Sequence, residues 1–216
     1  QITKSFAPDP ITVGATSVLT FNITNPGGGG YDPMNLTGIA FSDTLPTGLL
    51  VATPNGLSGS CGGGAITATA GSSVISLTGA SLAANGSCTF SVNVLGAAAG
   101  LHQNVSGFIS STQSGTNTTS TGYASDTLLV IAPPIISKAF GVSTIAVGNT
   151  TSLRFTITNP NVGTALSGVA FIDFLPAGLV IHTPGNLTGS CGGGTITAND
   201  GTSLVTLSGA TLPALG

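Results

Sequence analysis

The chain of 216 residues carries three Lys or Arg against six Asp and no Glu, for a formal net charge of −3. Nucleic-acid binding needs clustered cations to displace condensed counterions, and the scattered Lys4, Lys138 and Arg154 exclude it. No apolar run approaches the roughly 18 residues of a membrane helix, so no membrane insertion is expected within this segment, and Val, Ile, Leu and Phe are too plentiful for a disordered chain.

Ile2-Thr-Lys4-Ser-Phe6 predicts a short opening strand, broken at Pro8-Asp9-Pro10 and resumed at Ile11-Thr-Val13 before a turn at Gly14. Ser17-Val-Leu19-Thr-Phe21-Asn-Ile23-Thr then alternates apolar and polar residues, which puts Leu19, Phe21 and Ile23 on one face of a strand that Asn25-Pro26 ends. The tetraglycine that follows has neither Lys-Ser nor Lys-Thr behind it and opens no helix, so it reads as a loop and not a phosphate cradle. Further strands are expected near Gly38–Asp43, Leu49–Thr53, Ala65–Ala70, Ser73–Leu77, Cys88–Leu95, Asn104–Thr112 and Tyr123–Ile131. On the fifth of these, Cys88 shares its parity with Phe90, Val92 and Val94 and faces the core with them. No segment shows a sustained 3.6-residue apolar period. Short strands at close intervals without helices predict an all-β, antiparallel β-sandwich.

The chain writes its central stretch twice. Gly38 to Val51, with the motif Phe-x-Asp43-x-Leu-Pro46-x-Gly48-Leu, returns as Gly168 to Ile181, and Gly-Ser-Cys61-Gly-Gly-Gly64 returns as Gly-Ser-Cys191-Gly-Gly-Gly194. Both are displaced by 130 positions (191 − 61). Ile136 to Phe140 repeats the opening strand at 134 (140 − 6), and Leu153, Phe155 and Ile157 repeat the alternating one. The four-residue difference is absorbed in the loop after Pro26, where length changes are best tolerated. A long self-match at fixed displacement is a duplicated folding unit. We therefore expect a complete repeat over 1–132 and a second over 133–216 that stops short of its C-terminal strands. The 216 residues are read as a window on a longer chain, or as one whose last strands a neighbour supplies. Pro133-Pro134 between the copies restricts φ and favours extended backbone, so the junction is expected to be short and stiff.

Cys61 and Cys88 lie in one copy, and Cys191 matches Cys61 with its partner expected beyond the last residue. An even count per repeat suits a disulfide in an oxidising compartment. Closing a loop of about 28 residues would stabilise the unit by roughly 3 to 4 kcal/mol in the chain-entropy picture. Buried free thiols are the alternative; a zinc site has too few ligands.

Taken together, Ile-Thr-Lys-Ser-Phe, Thr-Asn-Pro, Phe-x-Asp-x-Leu-Pro-x-Gly-Leu, Cys-Gly-Gly and the later Ser-Cys-Thr resemble the conserved-repeat surface domain of bacteria. This is the class filed as domain of unknown function eleven, in particular its cysteine-containing relatives. The resemblance covers the first copy and what there is of the second. It implies an immunoglobulin-like fold carried in tandem on large exported proteins that serve as stalks, adhesins or fibres. It carries no shared catalytic residues.

His102 and His182 are the only imidazoles, and neither recurs at an equivalent position, so no general base with a positioned partner is expected. No nucleophile elbow or paired carboxylates occur, and the chain is not expected to be an enzyme or to hold a cofactor or metal. Lys4 recurs as Lys138 and Asp43 as Asp173, so within each repeat the two are expected to meet as an ion pair. A covalent Lys-to-Asp crosslink is the sharper version, but it wants an adjacent buried acid and the chain has no Glu. Seven Asn-x-Ser/Thr sequons, at Asn22, Asn35, Asn85, Asn104, Asn117, Asn149 and Asn186, never recur at equivalent positions. Outward strand positions of Thr, Ser and Asn leave sheet edges without guarding charge, which fits sugar cover, neighbours along a fibre, or lateral packing.

The expected function is a non-enzymatic structural repeat of a large extracellular or cell-surface protein, a stiff stalk or fibre. Its partners would be neighbouring repeats of the same protein, as a homopolymer. Two alternatives stand beside it: an adhesin module holding a glycan or protein through its loops, with Tyr31 the best aromatic for the task, and a fibre subunit polymerising by strand donation.

Overall fold

Period-two alternation dictates most of the strands in the computed structural model, which describes residues 1–26 and 34–216. The chain is all-β and divides into two units, Gln1–Ile131 and Ala132–Gly216. The first contains β1 (Ile2–Ala7), β2 (Ile11–Thr12), β3 (Thr16–Thr24), β4 (Leu36–Thr44), β5 (Leu49–Val51), β6 (Ser58–Ser60) and β7 (Ala65–Ala68). These are followed by β8 (Val74–Leu82), β9 (Ser87–Gly96), β10 (Gly100–Val105), β11 (Ser110–Ser111), β12 (Gly115–Thr116) and β13 (Ser125–Ile131).

One layer of this unit runs β1-β3-β9-β5 with β6 also on β9, and the other runs β12-β11-β4-β8-β7. A third sheet, β10-β13-β2, bridges the flank. All pairings are antiparallel except β13 with β2. Leu19, Phe21 and Ile23 from β3 and Phe90, Val92 and Val94 from β9 face Ile39 and Phe41 from β4 and Ile75 and Leu77 from β8, all buried. Phe21 lies 5.0 Å from Phe90 and 5.3 Å from Phe41 between ring centroids, so the aromatic cluster joins the two layers. Each such side chain contributes about 1.5–3 kcal/mol on burial. This is an antiparallel immunoglobulin-like sandwich.

The expected strand over Asn104–Thr112 is broken in two, because β10 ends at Val105 and β11 covers only Ser110–Ser111. Gly107 donates its N–H to the Ser42 carbonyl, and a Cβ there would sit 3.1 Å from that oxygen. A side chain would crowd the step by which the chain leaves β10, beside β13, and reaches β11, beside β4. Gly38, read as the start of a strand, and Gly79, past the strand end expected at Leu77, instead lie inside β4 and β8 at positive φ, where the β4/β8 register slips. Glycine inside a strand marks a bulge, and here it lets both strands run longer than expected.

The second unit contains β14 (Ile135–Phe140), β15 (Leu153–Thr158), β16 (Leu166–Phe174), β17 (Thr195–Ala198) and β18 (Leu204–Leu212). They form two antiparallel sheets, β14-β15 and β16-β18-β17, which repeat β1-β3 and β4-β8-β7. The register repeats as well: Lys138 opposes Phe155 as Lys4 opposes Phe21, and Asp173 opposes Val205 as Asp43 opposes Ile75. No counterpart of β9 to β13 lies within the 216 residues. Leu153, Phe155 and Ile157 are accordingly half-buried where Leu19, Phe21 and Ile23 are sealed. The buried core of this unit is Val169, Leu207, Ala210 and Leu212.

Candidate functional site

Alternation on β1 points Ile2, Lys4 and Phe6 inward, so a cation enters a face that otherwise takes only apolar groups. Asp43 occupies the matching inward position on β4. Lys4 Nζ lies 3.1 Å from both Asp43 carboxylate oxygens, and both side chains are fully buried. Asn104, on β10, is also sealed and donates from Nδ2 to Asp43 Oδ2 at 3.0 Å. Its Oδ1 has no hydrogen-bond partner. Native interiors leave few such atoms unsatisfied, so this one asks for a reason.

Burial lowers the pKa of the Lys4 ammonium below the usual lysine value, and Asp43 and Asp126 pull it partway back. Asp126 opposes Asn104 on β13 and accepts the Phe6 N–H at 2.7 Å, which fixes β13 against β1. The Lys4 ammonium also stands 6.0 Å from the Phe21 ring centroid, on the face of a π-system that favours a cation. In the second unit Lys138 Nζ reaches Asp173 at 2.8 and 3.0 Å, but the Lys138 side chain is 36% exposed. No residue of that unit takes the place of Asn104.

Cys61 and Cys88 form a disulfide, with Cα atoms 5.0 Å apart, inside the usual range for a bridge. It links the loop after β6 to the start of β9. Cys191 is free and partly buried. The glycines behind each cysteine have a steric cause: a Cβ at Gly62 would land on the Ser81 carbonyl, and one at Gly192 on the Thr211 carbonyl.

Asn25 and Asn159 were legible only as strand ends, yet both are buried staples. Asn25 Nδ2 donates to the carbonyls of Met34 at 2.9 Å and Ala83 at 3.0 Å; Asn159 Nδ2 does the same to Thr164 at 2.7 Å and Pro213 at 2.9 Å. Their recurrence as Thr-Asn-Pro is the signal that could have found them.

Other sequence-derived positions gather into no site. His102 Nε2 pairs with the Ala98 carbonyl at 2.8 Å and His182 Nδ1 with the Pro184 carbonyl at 3.2 Å. Among the described residues no three His, Cys, Asp or Glu converge. Of the seven sequons Asn104 is sealed in the core, out of reach of a glycosylating enzyme once folded. Tyr31 and the tetraglycine lie outside the described residues.

Among solved structures the chain is similar to a cohesin module from a family 33 glycoside hydrolase of Clostridium perfringens ATCC13124, at 10% identity and TM-score 0.41, covering 62% of this chain and 97% of that one. It is similar to the full-length major pilin SpaD from Corynebacterium diphtheriae at 10% identity and TM-score 0.36, covering 97% and 49%. Against the Actinomyces fimbrial adhesin FimA the identity is 14% and the TM-score 0.36, covering 98% and 79%. No curated protein matches. Residues 1–130 and 134–216, one span for each copy of the repeated motifs, match the family described as Domain of unknown function (DUF7933), and the chain belongs to that family.

Proposed function

We propose that the chain is a non-enzymatic structural repeat of a large extracellular surface protein, whose partners are further repeats of the same kind and whose task is to span distance as a stiff stalk or fibre. On this reading it is kin to the cysteine-containing surface repeats of the domain of unknown function eleven class. The observation that carries it is the junction. Only Ala132, Pro133 and Pro134 separate β13 from β14. The N–H of Ala132 donates to Asn161 Oδ1 at 2.7 Å, and its carbonyl accepts from Asn161 Nδ2 at 2.9 Å. Asn161 is itself buried and held by Asn159. The two prolines restrict φ and favour extended backbone, which supports the reading of a stiff junction. The Cys61–Cys88 disulfide fits an oxidising, extracellular setting.

Negative-stain imaging of native material carrying these repeats tests the reading: cell-attached stalks or free fibres support it, and discrete compact particles overturn it. In the isolated chain, Asn161→Ala with Pro133 and Pro134 replaced by Gly is expected to broaden the distribution of end-to-end distances measured by paired spin labels.

A further inference from the structure

We propose that unit 1 joins Lys4 to Asn104 through an intramolecular amide bond, with Asp43 moving the protons. This revises the Lys-to-Asp crosslink considered from sequence: Asp43 is the acid and base, and Asn104 the acceptor. It stands independently of the stalk reading.

Three observations converge. Lys4 and Asn104 reach the same carboxylate oxygen, Asp43 Oδ2, at 3.1 and 3.0 Å, although they come from strands 100 residues apart (104 − 4). All three side chains are sealed from solvent, so water does not compete for the carbonyl carbon. Asn104 turns its Nδ2 toward the acid and leaves Oδ1 without a donor. An amide nitrogen bonded to a carboxyl group, with a carbonyl oxygen waiting for a proton, is the arrangement for displacing that nitrogen. The burial that lowers the Lys4 pKa favours the neutral amine, which is the nucleophile.

The step balances without oxidant or cofactor. Lys4 Nζ hands a proton to Asp43, and its freed lone pair forms a bond to Asn104 Cγ while Oδ1 gains the carbonyl π pair and that proton. Asp43 then carries a second Nζ proton to Nδ2. Oδ1 returns its proton to Asp43, the Cγ–Nδ2 bond breaks, and Nδ2 leaves as ammonia. A neutral amide remains beside a protonated Asp43 that can donate to Oδ1. Two buried charges and one orphaned acceptor disappear together, which supplies a driving force.

The bond has a mechanical consequence. Tension that enters before Lys4 and leaves past Asn104 bypasses residues 5–103. In unit 2 the equivalent of Asn104 would be position 234 (104 + 130), outside these 216 residues, so Lys138 and Asp173 stay ionic in this chain and serve as an internal control.

The test is the reduced, full 216-residue chain by intact mass, followed by proteolysis and tandem mass spectrometry. The wild type is expected to be lighter than its sequence by one ammonia more than Lys4→Arg is lighter than its own. That comparison removes cyclisation of Gln1, which also expels ammonia. A branched peptide containing Lys4 and Asn104 is expected, absent from Asn104→Ala and Asp43→Ala, with Lys138 recovered unlinked. Lys4 and Asn104 in separate unmodified wild-type peptides would overturn the proposal, as would Lys4 joined to Asp43 with loss of water. If the variants fail to fold, the wild-type peptide map decides alone.

Discussion

Lys4 with Asp43 and Lys138 with Asp173 are the same two residues on equivalent strands in the same register, yet the first pair is sealed and the second meets solvent. The same holds for Phe21 and Phe155. What separates the copies is the set of strands around them. In unit 1, β9 pairs along the edge of β3 and extends its layer, and β10 with β13 covers the flank; unit 2 has neither among its residues. Local sequence sets strand, register and pairing, while closure of the layers sets burial, and with it the energy of each contact.

Truncating matched aromatics gives the largest expected contrast. Phe21→Ala removes a ring packed against Phe41 and Phe90 and should cost about 3–5 kcal/mol. Phe155→Ala, from a half-buried ring with Phe171 as its aromatic neighbour at 4.8 Å, should cost less than half as much. Urea unfolding with hydrogen exchange to assign each unit reads both. Equal losses would mean that closure is not what distinguishes the copies.

Charge should follow the same order. Asp43→Ala strands a buried ammonium and should destabilise unit 1 by about 3–5 kcal/mol. Asp173→Ala breaks a solvent-screened pair and should cost about 0–1 kcal/mol in unit 2. Reducing the disulfide comes next: unit 1 should lose roughly 2–5 kcal/mol and unit 2, whose Cys191 is free, nothing. Melting curves with and without reductant separate the two.

Much of this frame can be read without coordinates. Leu19, Phe21 and Ile23 announce their strand by alternation, and duplication singles out Lys4, Asp43 and Cys61 because each is written twice. Asn104 escaped for the same reason. Its copy-two counterpart lies outside the 216 residues, so repetition could not flag it, and it sat in a sequon on a stretch read as one continuous strand. Asn25 was rightly read as a strand end, but its role as a staple was hidden, because the carbonyls it holds include one 58 positions away and leave no local trace. Ser58–Ser60 joins β9 through backbone alone, with no apolar pattern to reveal it.

The smallest expected effect is in pH, and it separates a free Lys4 from a linked one. In Asn104→Ala the ammonium remains titratable, facing Asp43 on β4 and Asp126 on β13, with the Phe21 ring beside it on β3. Burial holds its folded pKa below the value in the unfolded chain, which is near 10.4. Between those two values the unfolded state binds a proton that the folded state has shed, so unit 1 should gain stability as pH rises through that window. Below the folded value both states are protonated and the slope should vanish. An amide nitrogen does not titrate there, so the linked wild type should show no such rise from Lys4. The variant-minus-wild-type difference in urea midpoint against pH isolates this term. A flat difference across the alkaline range would mean that Lys4 titrates alike in both chains, or in neither.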